Sequence, residues 1–326
     1  MKNLLLPFVI VLFCSFKSSD INKNLSPDEA QAMMDSVKYF SIKEQKKVIM
    51  NCVARYSYYS LETGEKNLQL AKNIFSSWPN SEQDSQYLYT LQLYETKLKS
   101  AYVEDKLCIA KMKKLCLVLK DPRYVFYAHK EVGFLATRMG HLDTALLYLY
   151  KAKELALLQK DMLNELKVLR HISNVYIELR RNEEAKEILT TALKVEGIEA
   201  DKMKLRLLSS LGYILIQEKK HEEFYSIVKG HSPNGLSSEE FYIEANFVFF
   251  YAKSLYEMTL YKESKEVALK ALAASIRSGE TKGRSRWYQL LAKISLNQNM
   301  TNEARRYIDQ FSSFSDYEEQ SILHEL

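Results

Sequence analysis

Glycine and proline are scarce in this chain, at nine and five residues in 326. Strand-rich folds need frequent turn residues, so the shortage points to long helices joined by short connections. Cysteine is also rare, at four residues. Cys108 and Cys116 stand eight positions apart on one expected helix, about 12 Å by rise and beyond disulfide reach. With Cys14 set aside, Cys52, Cys108 and Cys116 make an odd number, which argues against a disulfide framework. They read as small buried apolar residues. The six histidines form no ligand spacing, and there is no HExxH, paired-Cys motif or Gly-rich phosphate loop. No metal, cofactor or catalytic residue is therefore expected, and the chain reads as a non-enzyme. A net charge of +5 is mild and gives no case for nucleic acid. The basic runs Lys43–Lys47 and Lys111–Lys114 read as solvated faces. A content of 47% hydrophobic and 27% charged residues is that of a folded, well-mixed protein.

One long apolar run is present, from Leu4 to Phe16 behind Lys2. As a helix its thirteen residues span roughly 20 Å, short of a hydrocarbon core of roughly 30 Å. Residues 1–19 are therefore expected to be a secretory signal, followed by a linker over 20–25, which places the protein in the periplasm or cell envelope. Cys14 is the candidate lipidation residue, because SFKSSD after it resembles a lipoprotein tether. Phe13 stands where such signals normally carry a small residue. Any membrane contact would run through that lipid. Helix starts are expected at Ser26 with Pro27, at Asp121 with Pro122, at Ser81 with Asp84, at Ser238 with Phe241 nearby and at Ser315 with Glu318.

What the chain has in quantity is a repeat. GHLDTALLYLYKAK around Ala145, RNEEAKEILTTALK around Ala185, KKHEEFYSIV around Phe224, LYKESKEVALKALA around Ser264 and MTNEARRYIDQF around Ala304 share one pattern at intervals of 40, 39, 40 and 40. Apolar residues between these points fall three and four apart, as in Val168 to Arg180. Such a period marks an array whose units cover their apolar faces with their neighbours. Small residues recur in phase at Gly133, Ser173, Gly212, Ala252 and Ala292, twelve before each repeat centre, and Ala152, Ala192 and Ala271 recur seven after.

In these residues the chain resembles the tetratricopeptide repeat family, in its long variety of about 40 residues and of exported bacterial type. The resemblance implies an all-α, right-handed superhelical solenoid of antiparallel helix pairs, about seven in number. The small residues would lie where paired helices cross, with Tyr148, Leu149, Leu189 and Ile308 filling the flanks, and Phe224 should splay or shift its pair. Clear repeats would cover 124–311, diverged ones 26–123, with a capping helix over 312–326. YSYYSLETGEKNLQLAKNIF, Tyr56 to Phe75, fits only as a helix pair, and Lys229 to Ser238 is the longest expected loop.

The resemblance further implies a concave surface lined by the first helices. Its positions would be Tyr127, Lys130, Phe134 and Thr137; Lys167, Arg170, Asn174 and Ile177; Arg206, Ser209, Tyr213 and Ile216; Asn246, Phe249, Lys253 and Tyr256; and Arg286, Gln289, Lys293 and Leu296. Seven of the twenty are Lys or Arg and none is acidic, where proportional sampling would give about three of each sign. The partner-binding residues expected from this are Lys130, Phe134, Lys167, Arg170, Asn174, Arg206, Tyr213, Asn246, Lys253, Arg286 and Lys293. Arg170 and Asn174 match the spacing of a carboxylate clamp in some peptide-binding relatives, but its complementary residues are missing from the following units. The expected function is a protein-binding scaffold for a peptide or helix of acidic character, without nucleic acid or cofactor. The alternative is the sensor half of an envelope signalling or transcriptional regulator lacking its membrane and output domains.

Overall fold

The computed structural model describes residues 34, 37, 40–56, 61–100, 105–231, 233, 236, 244–277 and 283–313. The expected signal and linker, Cys14, the Ser26–Pro27, Ser238 and Ser315 helix starts, and the capping segment beyond Ser313 lie outside them. The described residues are helical throughout, without a strand, and fall into two units, Met1–Gln159 and Lys160–Leu326.

The first unit holds α1 (Ile42–Tyr56), α2 (Leu61–Ser77), α3 (Ser85–Ser100), α4 (Asp105–Val118), α5 (Pro122–Arg138) and α6 (Leu142–Leu158). Consecutive helices pack together, and α3 also packs on α1 and on α5, so the pairs stack. A capping box opens α1: Ser41 Oγ accepts from the Glu44 amide at 3.4 Å, and Glu44 Oε2 accepts from the Ser41 amide at 3.1 Å. Over its described part, Tyr56–Phe75 is not a pair but the single helix α2 following the end of α1. Leu68, Ala71 and Phe75 form one buried stripe there, and the lone Gly64 does not break it. The start expected at Ser81 also moves. Ser81 lies in a 3₁₀ turn, Gln83 is extended, and Asp84 accepts from the Gln86 amide at 2.8 Å to cap α3. Asp121 caps α5 as expected, accepting from the Arg123 amide at 2.9 Å ahead of Pro122. In the core, Trp78 Nε1 donates to Gln45 Oε1 at 2.6 Å, and Gln45 donates to the Phe40 carbonyl at 2.8 Å. Those bonds satisfy polar atoms beside the mutually packed rings of Phe75, Trp78 and Tyr87, of which Phe75 and Tyr87 are stacked.

The second unit holds four pairs: α7 (Met162–Glu178) with α8 (Asn182–Leu193), α9 (Ile198–Gln217) with α10 (His221–Val228), α11 (Ala245–Glu257) with α12 (Tyr261–Arg277), and α13 (Arg284–Asn297) with α14 (Thr301–Ser312). First helices lie side by side, α9 on α7, α11 on α9 and α13 on α11. The helix before each pair's tight turn ends identically. Gly140, Arg180, Lys219, Thr259 and Asn299 take φ of 72°, 58°, 59°, 62° and 60°, at the same 40, 39, 40 and 40 spacing as the repeat centres. Around each, two backbone bonds close a Schellman motif, as in Thr259 N to Tyr256 O and Leu260 N to Leu255 O, both 2.9 Å.

The crossing residues are buried as the pattern requires. Ala145, Ala185, Phe224, Ser264 and Ala304 are at most 1% exposed. A methyl on Gly133 would sit 2.5 Å from Leu149 Cγ, so only glycine allows that approach. Ser264 Oγ donates to the Ala252 carbonyl of the facing helix at 2.8 Å. The Phe224 ring is accommodated by Gly212, whose absent Cβ would lie 2.8 Å from it. Ile308 departs from the expectation and is 41% exposed, because no described helix covers that side of α14.

Candidate partner-binding face

In the second unit, α7, α9, α11 and α13 bring Lys167, Arg170, Asn174, Arg206, Tyr213, Asn246, Lys253, Arg286 and Lys293 to one kind of position. All are half-buried or exposed, while the residues between them form the core. Ile216 is the exception among the face positions, at 6% exposed. Side chains one repeat apart meet. Ser210 Oγ donates to Asn174 Oδ1 at 3.3 Å, Arg286 Nη1 donates to Asn246 Oδ1 at 2.7 Å, and Asn297 Nδ2 donates to Tyr256 OH at 2.9 Å. Aromatic rings line the same helices, with Tyr213 on Phe250 and Phe249 on Trp287 at centroid distances of 6.3 and 5.4 Å. Lys130 and Phe134 belong to α5 of the first unit. There Lys130 pairs with Glu131 at 3.1 Å and lies over the Tyr127 ring, while Phe134 is exposed.

Among the described residues a carboxylate outside the counted positions enters the second unit's face. Glu244 caps α11 two residues before Asn246, and its Oε1 accepts from Arg206 Nε at 3.2 Å. Burial, reinforced by Arg206, holds the Arg170 guanidinium below its ordinary range, with Glu244 opposing. Burial alone pushes Arg286 down to about 10, still charged at neutral pH. Among the described residues no carboxylate lies within ion-pair distance of Arg170, Lys253, Arg286 or Lys293. Two other half-buried lysines of this unit do have acids: Lys186 has Glu183 and Glu218, and Lys265 has Glu303.

Other expected features fall as follows. Cys52 and Cys108 are buried and Cys116 is half-buried, all as free thiols. Lys43, Lys47, Lys111 and Lys114 are exposed. Among the described residues no cluster of potential metal ligands occurs, and no helix is long and apolar enough to cross a membrane. The first unit also contains an open cavity of about 510 Å³ between α3 and α4, lined by Leu107, Cys108, Leu115 and Val118 together with Lys99, Lys111 and Lys114.

These features define an all-α protein of repeated helical hairpins. Among solved structures the chain is similar to the apo form of RapI, a tetratricopeptide-like helical repeat protein. The TM-score is 0.57 at 17% identity, over 89% of this chain and 77% of that one. BtubC from P. vanneervenii aligns over 89% of this chain and 94% of its own at 12% identity, with a TM-score of only 0.36. No protein-family model and no curated protein matches the sequence. At such identities the likeness to RapI speaks for a helical repeat fold and leaves the partner open.

Proposed function

We propose that this protein is a non-enzymatic scaffold of the long tetratricopeptide type, exported to the cell envelope, that holds an acidic peptide segment of a partner protein. The observation carrying this reading is the charge of the α7, α9, α11 and α13 face. Lys167, Arg170, Arg206, Lys253, Arg286 and Lys293 lie on it, and among the described residues Glu244 pairs with Arg206 alone of these six. A surface of one sign steers an oppositely charged segment and selects against the other sign. The exposed ring of Tyr213 suits such a contact by offering area at low entropic cost. Fluorescence anisotropy of Glu-rich and Lys-rich peptides with the full chain tests it. Binding of the acidic peptide alone, weakening with salt, is expected; equal or absent binding removes the reading. Export rests on the Leu4–Phe16 run and is tested by the mass of the mature protein, where an intact Met1–Ser19 would count against it.

A further inference from the structure

Like Arg170, Arg286 is a half-buried cation with no acid beside it among the described residues and a buried Nε, and it differs in lying against two aromatic rings. The Phe249 and Trp287 rings lie 5.0 and 5.5 Å from its guanidinium carbon, and its Nε is buried without an acceptor. Gly283, in the left-handed region just before α13, approaches so closely that a Cβ there would lie 3.3 Å from that Nε. The guanidinium is therefore held in place by rings and backbone rather than by an acid. Its single side-chain hydrogen bond goes to Asn246 Oδ1. A guanidinium only donates, so Asn246 must turn its oxygen inward, which leaves its Nδ2 as another donor beside the remaining Arg286 N–H groups. One turn along α13, Gln289 Nε2 is buried and likewise lacks an acceptor. The result is a pair of donor groups, the Arg286 fork and Asn246 Nδ2, at a desolvated cation, with no anion in ion-pair reach of it among the described residues. A half-buried charge left in that state is costly, and an arriving anion recovers the cost.

We propose that Arg286 and Asn246 form a receptor for one carboxylate of the bound segment. This inference rests on the acidic-partner reading and names the place where that partner is read. The planar guanidinium fork matches the two oxygens of a carboxylate, and the rings beneath keep it from turning away. Arg206 does not compete for the role, because Glu244 already occupies it.

The discriminating variant is Asn246→Asp, which supplies the missing carboxylate from within. It is expected to raise the melting temperature and to weaken acidic-peptide binding by about tenfold or more. Arg286→Gln should weaken binding to a similar degree. Arg286→Lys keeps the charge but loses the fork, and should bind several-fold less tightly. Two probes are titrated into the full chain: an acetylated, amidated Ala/Glu octapeptide, and an Ala octapeptide with a free C-terminal carboxylate. The first binding alone assigns the receptor to side-chain carboxylates, and the second alone to a chain terminus. If the octapeptides bind wild type and Asn246→Asp equally, with Arg286→Lys unchanged, this receptor is refuted while the cationic-face reading survives. If neither probe binds wild type, both fall.

Discussion

The turn between α11 and α12 gives a sharp test of the repeat geometry. Thr259 sits there at φ 62°, a conformation that a β-branched residue adopts only under strain, whereas the equivalent turn between α5 and α6 has Gly140 at 72°. Its side chain is exposed and makes no hydrogen bond, so Thr259→Gly removes strain without removing a contact. Relief of the left-handed conformation is worth about 1–2 kcal/mol. The greater freedom of glycine in the unfolded chain takes back roughly 0.4–1 kcal/mol. A net gain of about 0.5–1 kcal/mol follows, which in urea titrations followed by circular dichroism moves the midpoint up by on the order of 0.2 M at unchanged slope. Thr259→Ala, which keeps the strain, should gain nothing. The reciprocal Gly140→Thr meets no atom within 4 Å and should lose a similar amount through backbone strain alone. A Thr259→Gly midpoint at or below wild type would refute the assignment of strain to these turns.

Gly212→Ala should destabilise by about 1–3 kcal/mol, since its methyl would lie 2.8 Å from the Phe224 ring and 3.3 Å from Phe250 Cβ. Adding Phe224→Leu should recover part of that loss in the same denaturation assay. Hydrogen bonds from Lys265, then from Ser295 and Tyr307, hold the Glu303 carboxyl below its usual 4.5 against the effect of burial. A depressed carboxyl stabilises the fold above the ordinary carboxylate range and loses that contribution as pH falls through its folded value. Glu303→Gln should therefore lower stability at neutral pH by less than about 1 kcal/mol and flatten the acid limb below 4.5, read by melts across pH. Burial pushes the Cys52 and Cys116 thiols up to about 12, so both should resist iodoacetamide in the native protein and react once it is unfolded.

The repeat was legible because its signal is redundant. Residues twelve apart must both be small where helices cross, and the buried Gly133 with Ala145, and Ser173 with Ala185, satisfy that rule independently. The turn residues could not be read the same way. Arg180, Lys219 and Thr259 carry no mark of a left-handed backbone, because the hairpin imposes that conformation against local preference. Phe224 with Gly212 was visible as a departure, but the compensation between them is a matter of contact and not of spacing. On the candidate face, counting put Arg170 and Arg286 at half-buried positions and Asn246 at an exposed one. It could not show that Arg286 lies near the Phe249 and Trp287 rings, because that depends on how far one hairpin is shifted along the next. Glu244 escaped for a related reason: it reaches Arg206 from a helix cap rather than from a helix face.

The claim that the first helices of the second unit hold an acidic segment is tested most directly by photo-crosslinking. A Glu-rich peptide bearing a benzophenone is irradiated with the full chain and the adducts are located by mass spectrometry. The account predicts adducts on α7, α9, α11 and α13, around Tyr213, Phe249 and Lys253, that disappear when a Gln-rich peptide replaces the acidic one. Adducts concentrated on α8, α10, α12 and α14, or unchanged with the Gln-rich peptide, would contradict it.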